Sequence, residues 1–472
     1  MTNIKYLLFA FVYATTVLAQ PSSAKLDKLL ADDFFQRATI GVAVYDLTEQ
    51  KMLYVHNEKR LCRPASTMKL LTSAAALTML TSRYSFKTGL YHTGEIDESG
   101  VLAGDIYLVG GFDPELKSSD LDDLISQMKK AGITNINGNL YLDSTMADSV
   151  HWGKAWSWDD DMEAFQPYLS PIPLNKGLVR LRITPTTPDN APTITTDPES
   201  SFIQIVNRAT TVRKSAELPQ TTLQFNREFV DDHNSIVVSG VIAVSANPFE
   251  RAISLKNPYG YVMTIFLEKM SNQFPESNIN AAGTKRLPEE AQIIGFASNS
   301  IMEAVRRSNK NSDNLSAEML LYTLGYDKNN EPATIEKGIT RLQKFISQTG
   351  HDPKLYRIVD GSGLSNQNSL SPELLVDVLK FMHQSPHFDL FLQSMSIAGV
   401  DGTMAGRMRN TAAHRKVRAK TGSLTGVCTL AGYVTASNGN MLAFSILIQN
   451  FVERASFVAV NYIDKICIVL AE

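Results

Sequence analysis

At 472 residues the chain is long enough for roughly three domains of ~150 residues, or for one large domain carrying an insertion. An apolar fraction of 44%, a charged fraction of 20% and a thin spread of 27 glycines and 19 prolines exclude a disordered, collagenous or disulfide-scaffold chain. The 45 basic and 48 acidic residues leave a formal charge of −3, without the basic excess that nucleic-acid binding needs, so no nucleic-acid partner is expected.

Lys5 is the single charge ahead of a mostly apolar run from Tyr6 to Leu18, closed by Val17-Leu18-Ala19. Thirteen residues fall short of the ~20 that cross a bilayer, and small residues at Val17 and Ala19 suit signal-peptidase cleavage, so residues 1–19 read as a secretory leader rather than a retained anchor. No Cys follows that run to carry a lipid, and no later stretch is long enough to span a membrane. The run Ile466–Leu470 fits only a core strand or a helix end. Cys62, Cys428 and Cys467 are an odd number without metal-site spacing, which reads as buried thiols rather than a disulfide framework.

Two β-rich runs, Ile40–Asp46 and Lys51–Val55, flank a polar turn and predict a hairpin. From Ser66 the string STMKLLTSAAALTML is apolar almost all round and dense in helix formers, which predicts a buried central helix. Residues 90–288 are rich in Thr, Pro, Asn and Asp and hold alternating runs such as Leu178–Ile183 and Ile236–Val244, so they read as β-rich inserted material, divided into two subdomains. Helical patterns return at Ile301–Arg307, Leu315–Leu324, Ile335–Thr349 and Pro372–Gln384. The chain closes on strands at Arg418–Gly422, Thr429–Val434 and Met441–Gln449, with Asn438-Gly439 as a hairpin turn. The expected organisation is an α/β (α+β) domain in two pieces, residues 20–89 and 289–472, interrupted by the insert.

Eight histidines show no metal-binding spacing and no glycine-rich phosphate loop occurs, so neither a metal nor a cofactor is expected. The chemistry instead gathers in Ser, Lys and Asn. In Ser66-Thr67-Met68-Lys69, two residues three apart share a helix face, so the Lys69 amine can approach the Ser66 hydroxyl. A serine is a weak nucleophile until a base takes its proton, and a lysine in a dry cleft beside other cations has its pKa lowered towards that task. The helix start at Ser66 adds a positive end that favours developing oxyanion charge.

Ser312-Asp313-Asn314 and Lys420-Thr421-Gly422 follow in order, and together with Ser66-x-x-Lys69 they form the motif set of class A β-lactamases and penicillin-binding proteins. Ser66 and Ser312 stand 246 positions apart, far more than a compact β-lactamase leaves there. Further stretches are Gly110-Gly111-Phe112-Asp113-Pro114, the tract Trp152–Asn175 with its W-x-W-D-D centre, SDNLSAE at 312–318, DGSGLS at 360–365, AGVDGT at 398–403 and KTGSLTGV at 420–427. With these the chain resembles the penicillin-binding protein 4 type of D-alanyl-D-alanine carboxypeptidase/endopeptidase, peptidase family S13, over nearly its whole length.

The resemblance implies a penicillin-binding-protein fold, an antiparallel sheet flanked by helices, and a periplasmic serine DD-peptidase that cuts D-Ala-D-Xaa bonds in peptidoglycan stem peptides and is acylated by β-lactams. Ser66 would be the nucleophile, Lys69 its base, Ser312 and Lys420 a proton relay, and Asn314 a contact to the substrate backbone. Thr421, Gly422 and Ser423 would line the substrate, with the Ser66 and Ser423 backbone N–H groups as the oxyanion hole. Asp160 and Phe165 match positions that border the cleft and meet the amine end of the stem peptide's diamino acid; a solvated acidic loop packed by its tryptophans is the alternative for that tract. The resembling fold sets the helix start and the third-motif strand face to face across the cleft, so a Cys62–Cys428 bridge is the one alternative to free buried thiols.

Three positions depart from the family's usual pattern. Phe112 stands where a third glycine is common, Asn366 follows DGSGLS where Arg is frequent, and Thr425 replaces Gln; the last two would face the substrate's side chain. Two other functions are weighed. A β-lactamase needs rapid deacylation, for which class A enzymes place an E-x-x-L-N segment between the second and third motifs; the one similar string here, Glu276–Asn280, precedes Ser312. A non-catalytic wall-binding scaffold would use the insert as its binding surface, but all three motifs are intact.

Overall fold

A computed structural model describes residues 21–213, 221–231, 233–327 and 331–472. The expected leader, residues 1–19, lies outside them. A six-stranded, wholly antiparallel sheet runs in the order Ser396–Ile397, Val417–Leu424, Val427–Thr435, Met441–Gln449, Thr39–Asp46, Lys51–His56. Its register pairs Thr39 with Gln449 and Val44 with Phe444, so the early hairpin and the closing strands make one surface.

Alternation along Val427–Thr435 divides the core in two. Ala431 and Tyr433 face the cluster that holds the helix Met68–Met79, whose residues Met68–Leu77 are all buried as the all-round apolar pattern predicts. The helices Asn314–Gly325, Ile335–Gln348 and Pro372–His383 pack in the same layer. Cys428, Leu430 and Val434 face the opposite side, covered by the closing helix Ser456–Ala471, which contains the Ile466–Leu470 run. Among the described residues, no helix is long and apolar enough to cross a membrane.

This division overturns the Cys62–Cys428 bridge. All three thiols are free and buried, with Cys62 in the first cluster and Cys428 in the second, on opposite faces of the sheet.

The insert carries a seven-stranded sheet and two three-stranded sheets, whose inward faces share one apolar cluster from Leu90 to Ala297. Its edges differ from the expected boundaries at 90 and 288. Ser85–His92 pairs antiparallel with Gln292–Ser300, Ser85 opposite Ser300, so chain entry and exit lie side by side and the whole of both strands belongs to the insert sheet. Two helices also interrupt the β-rich pattern, Ser118–Lys130 and Pro258–Gln273. The first buries Leu121, Leu124, Ile125 and Met128 at helical spacing, a stripe hidden in sequence by its acidic neighbours.

The Gly110-Gly111-Phe112 turn explains the first departure from the family pattern. Phe112 has φ 56°, a left-handed conformation that favours glycine, and a Cβ at Gly111 would stand 2.0 Å from the Lys87 carbonyl oxygen. The Phe112 ring compensates by stacking on Tyr322, centroids 5.5 Å apart, in the buried core. Phe112→Ala keeps the strain and loses the ring, an expected cost of about 3–5 kcal/mol; Phe112→Gly relieves the strain and is expected to be the more stable variant by ~1 kcal/mol. Urea unfolding of the pair checks the order, and Ala equal to or above Gly would contradict it.

Candidate active site

Ser66 sits in a tight 3-10 turn, Ala65–Thr67, that leads into the helix Met68–Met79. The turn is fixed from three sides. The Pro64 carbonyl accepts the Thr67 hydroxyl at 2.6 Å and the Thr429 hydroxyl at 2.9 Å, tying it to the strand Val427–Thr435. Ala65 is left-handed at φ 47°, and Gly363 approaches so closely that a Cβ there would lie 1.8 Å from the Ala65 carbonyl oxygen. From the other side the strand Val417–Leu424 presses Gly422 against the turn. A Cβ on Gly422 would stand 2.1 Å from the Thr429 hydroxyl and 2.9 Å from both the Pro64 oxygen and the Ser66 nitrogen. Gly422→Ala is therefore expected to displace the Ser66 N–H and cut the acylation rate by about 10²-fold or more, as loss of an oxyanion donor does. Stopped-flow acylation checks it; an Ala variant of native rate would contradict it.

Lys69 is fully buried, one helical step from Ser66. Its Nζ donates to Ser66 Oγ at 2.9 Å, to Asn314 Oδ1 at 2.6 Å and to the Ser362 carbonyl at 2.6 Å, which uses the three protons of an ammonium. Burial brings this amine down to about 8, against the opposing pull of Asp360, Glu318 and Asp313. Of the two causes expected from sequence, a dry cleft and neighbouring cations, desolvation is the one that lowers it.

Ser312 has φ 62°, a left-handed position that aims its hydroxyl at Lys420 Nζ, 2.9 Å away. Lys420 also donates to the Thr421 carbonyl at 2.7 Å, and burial together with Lys69 pushes its amine well below the usual range. Asp313 caps the helix Asn314–Gly325 by accepting the Ser316 N–H at 2.7 Å and lies 3.2 Å from Lys176 Nζ. Lys176 bonds Glu115 at 2.9 Å, so an insert cation braces the second motif. The Asn314 amide is oriented at both ends: its Nδ2 donates to the Phe165 carbonyl at 2.6 Å while its Oδ1 takes Lys69.

These groups open on a cleft of about 540 Å³ that Ser66, Ser312, Asn314, Thr421, Ser423, Asp160, Phe165, Asn366 and Thr425 all line. The structure thus gathers the residues singled out in sequence, with Lys69, Lys420 and Gly422 behind the wall, and brings the departures Asn366 and Thr425 to the same cleft. Within the W-x-W-D-D tract, Trp156 is buried and donates Nε1 to Asp360 at 3.0 Å, while Trp158 is 84% exposed. Asp161 pairs with Arg227 and Lys256. The Asp160 carboxylate has no side-chain partner among the described residues, and burial with Asp159 and Glu163 nearby raises its pKa. Glu276, of the string weighed for a β-lactamase, lies in the insert just before the strand Asn278–Thr284 and does not line the cleft.

Sequence reasoning missed several members of the site. Ser362 acts through its carbonyl, Glu318 and Asp360 are buried behind Lys69, and Thr403 accepts the Thr421 hydroxyl at 2.8 Å. All lie in strings noticed for family likeness, yet a backbone acceptor or a buried carboxylate has no signature that sets it apart from a turn former.

Residues 22–470 match the family described as the D-Ala-D-Ala carboxypeptidase 3 (S13) family. The chain belongs to this family. Its curated relatives include a D-alanyl-D-alanine carboxypeptidase of Actinomadura sp. (strain R39), 29% identical over 468 residues, 95% of this chain and 86% of the relative. The D-alanyl-D-alanine carboxypeptidase DacB of Haemophilus influenzae is 26% identical over 434 residues, covering 88% and 86%. The crystal structure of penicillin binding protein 4 (dacB) from Haemophilus influenzae superposes with a TM-score of 0.78 at 25% identity, over 91% of this chain and 93% of that one. The same protein complexed with a β-lactam gives 0.71 at 24% identity, again over 91% and 93%. The fold is therefore that of penicillin-binding protein 4, and the chain is a serine-type peptidase of the D-Ala-D-Ala carboxypeptidase class.

Proposed function

We propose that the S13-family chain hydrolyses D-Ala-D-Xaa bonds of peptidoglycan stem peptides in the periplasm through an acyl-enzyme on Ser66. The observation that carries this is the pair of hydrogen-bonded couples, Ser66–Lys69 and Ser312–Lys420, meeting at one cleft. Neutral Lys69 takes the Ser66 proton as Oγ attacks the D-Ala carbonyl, whose oxygen turns towards the Ser66 and Ser423 N–H groups. The Ser312 hydroxyl, backed by Lys420, returns a proton to the leaving amine, and water then hydrolyses the ester. Asn314 and Thr421 hold the substrate backbone. The Asp160 carboxylate, without a side-chain partner among the described residues and lining the cleft with Phe165, suits the ammonium of a diamino acid. The leader expected at residues 1–19 supports an exported protein, and β-lactams would acylate the same serine.

Muropeptides with pentapeptide stems, and cross-linked dimers, test the reading. Tetrapeptides with free D-alanine, or monomers from dimers, are expected; unchanged peptides retained by the protein would support a binding scaffold instead. Because Lys69 must lose a proton first, kcat/KM is expected to fall about tenfold per pH unit below about 8. A rate that stays level from pH 8 to pH 6 would remove Lys69 from the base role.

A further inference from the structure

Behind Lys69 lies a second layer built on two buried carboxylates. Glu318 follows Asn314 by four residues on the helix Asn314–Gly325, so both side chains project from one face, and Glu318 is 0% exposed. Its oxygens accept the Gly361 N–H at 3.1 Å and the Ser362 N–H at 2.8 Å. Asp360, equally buried, accepts the N–H groups of Gly363 at 2.8 Å and Ser365 at 2.6 Å, with Asn368 Nδ2 at 2.7 Å and Trp156 Nε1 at 3.0 Å. The loop so held turns its carbonyls the other way: Gly361 O takes the Thr72 hydroxyl at 2.7 Å and Ser362 O takes Lys69 Nζ at 2.6 Å. Ser362 therefore gives its N–H to Glu318 and its C=O to Lys69.

A neutral Gln could accept the same backbone N–H groups without the several-kcal/mol cost of burying a charge. A carboxylate does what the amide cannot, which is to oppose the positive charge of Lys69. We propose that Glu318 is a positioning residue for Lys69: its oxygens hold the Gly361 and Ser362 N–H groups and so place the Ser362 carbonyl that orients the amine, and its negative charge opposes that of the amine. The proposal rests on the reading of Lys69 as base. The other charged groups facing Lys69 are Asp360 of the loop, Asp313 at the helix start and Lys420 of the strand Val417–Leu424. Burial and Asp360 push the Glu318 carboxyl above its ordinary range, against the Gly361 and Ser362 N–H groups that favour its charged form.

The test is the pH profile of acylation by benzylpenicillin in Glu318→Gln and Glu318→Ala, with thermal melts of both. Removing an opposite charge lowers the amine's pKa, so both variants are expected to move the acid limb to lower pH by ~1 unit or more. Gln is expected to restore the plateau rate that Ala loses, because it still accepts the backbone N–H groups. A folded Gln variant whose acid limb superposes on the wild type would overturn the proposal. If Gln proves too unstable, NMR of the wild type labelled at Lys and Glu decides: Lys69 and Glu318 are expected to titrate together, and independent titrations would overturn it. Failure of the underlying reading looks different, since a Ser66→Ala or Lys69→Met protein would then still be acylated at the native rate.

Discussion

Ser66→Ala is expected to abolish D-alanine release from pentapeptide stems, a loss on the order of 10⁴-fold or more, while leaving the fold intact. Among the described residues the Ser66 hydroxyl hydrogen-bonds Lys69 alone, and the turn that carries it is held by Pro64, Thr67, Thr429 and Gly363 rather than by Ser66 itself. Truncation thus removes the nucleophile at a stability change within about 1 kcal/mol, and the empty cleft should still bind peptide. D-Alanine release, peptide binding and a thermal melt on the same preparation measure all three. Residual turnover near the native rate would place the chemistry elsewhere.

Lys69→Met is expected to damage both function and fold. Removing the base lowers acylation by about 10²–10⁴-fold. It also strips Glu318 and Asp360 of a buried cation, an expected loss of about 3–5 kcal/mol. The sign of the pH dependence distinguishes this from loss of packing. Glu318 has a folded-state pKa already raised by burial and Asp360, so between its ordinary value and the raised one the folded state binds more protons than the unfolded chain. Stability of the variant is then expected to climb as pH falls through that window and to drop as pH rises. Urea titrations at pH 6 and pH 8.5 check this; a variant equally unstable at both would point to packing alone.

The legible parts of the fold were those where period and chemistry agree. The hairpin at Thr39–His56, the buried helix after Ser66 and the strands from Val417 to Gln449 all show one pattern with one reading. Ser66, Lys69, Ser312, Asn314 and Lys420 were visible because their motifs are short and ordered, and the structure hydrogen-bonds Lys69 to Ser66 and Asn314 and Lys420 to Ser312 at one cleft. The insert's edges were not visible, because Ser85–His92 and Gln292–Ser300 pair across the whole insert and neither is distinctive alone. Backbone contributions stayed hidden for a similar reason. The Ser362 carbonyl and the left-handed turns at Ala65 and Ser312 depend on contacts with distant elements, which no local pattern encodes. Phe112 is the opposite case: its departure from a glycine pattern is visible in sequence, but only the Tyr322 ring explains why a bulky residue holds that turn.

The central claim is that Ser66 is the residue that forms the acyl-enzyme and that, without the class A E-x-x-L-N segment, its penicilloyl ester is hydrolysed slowly; intact-protein mass spectrometry after benzylpenicillin tests it most directly. The account predicts one stoichiometric penicilloyl adduct that persists, maps to the peptide containing Ser66 and disappears in Ser66→Ala. Rapid turnover to free penicilloate, or an adduct retained in Ser66→Ala, would contradict it.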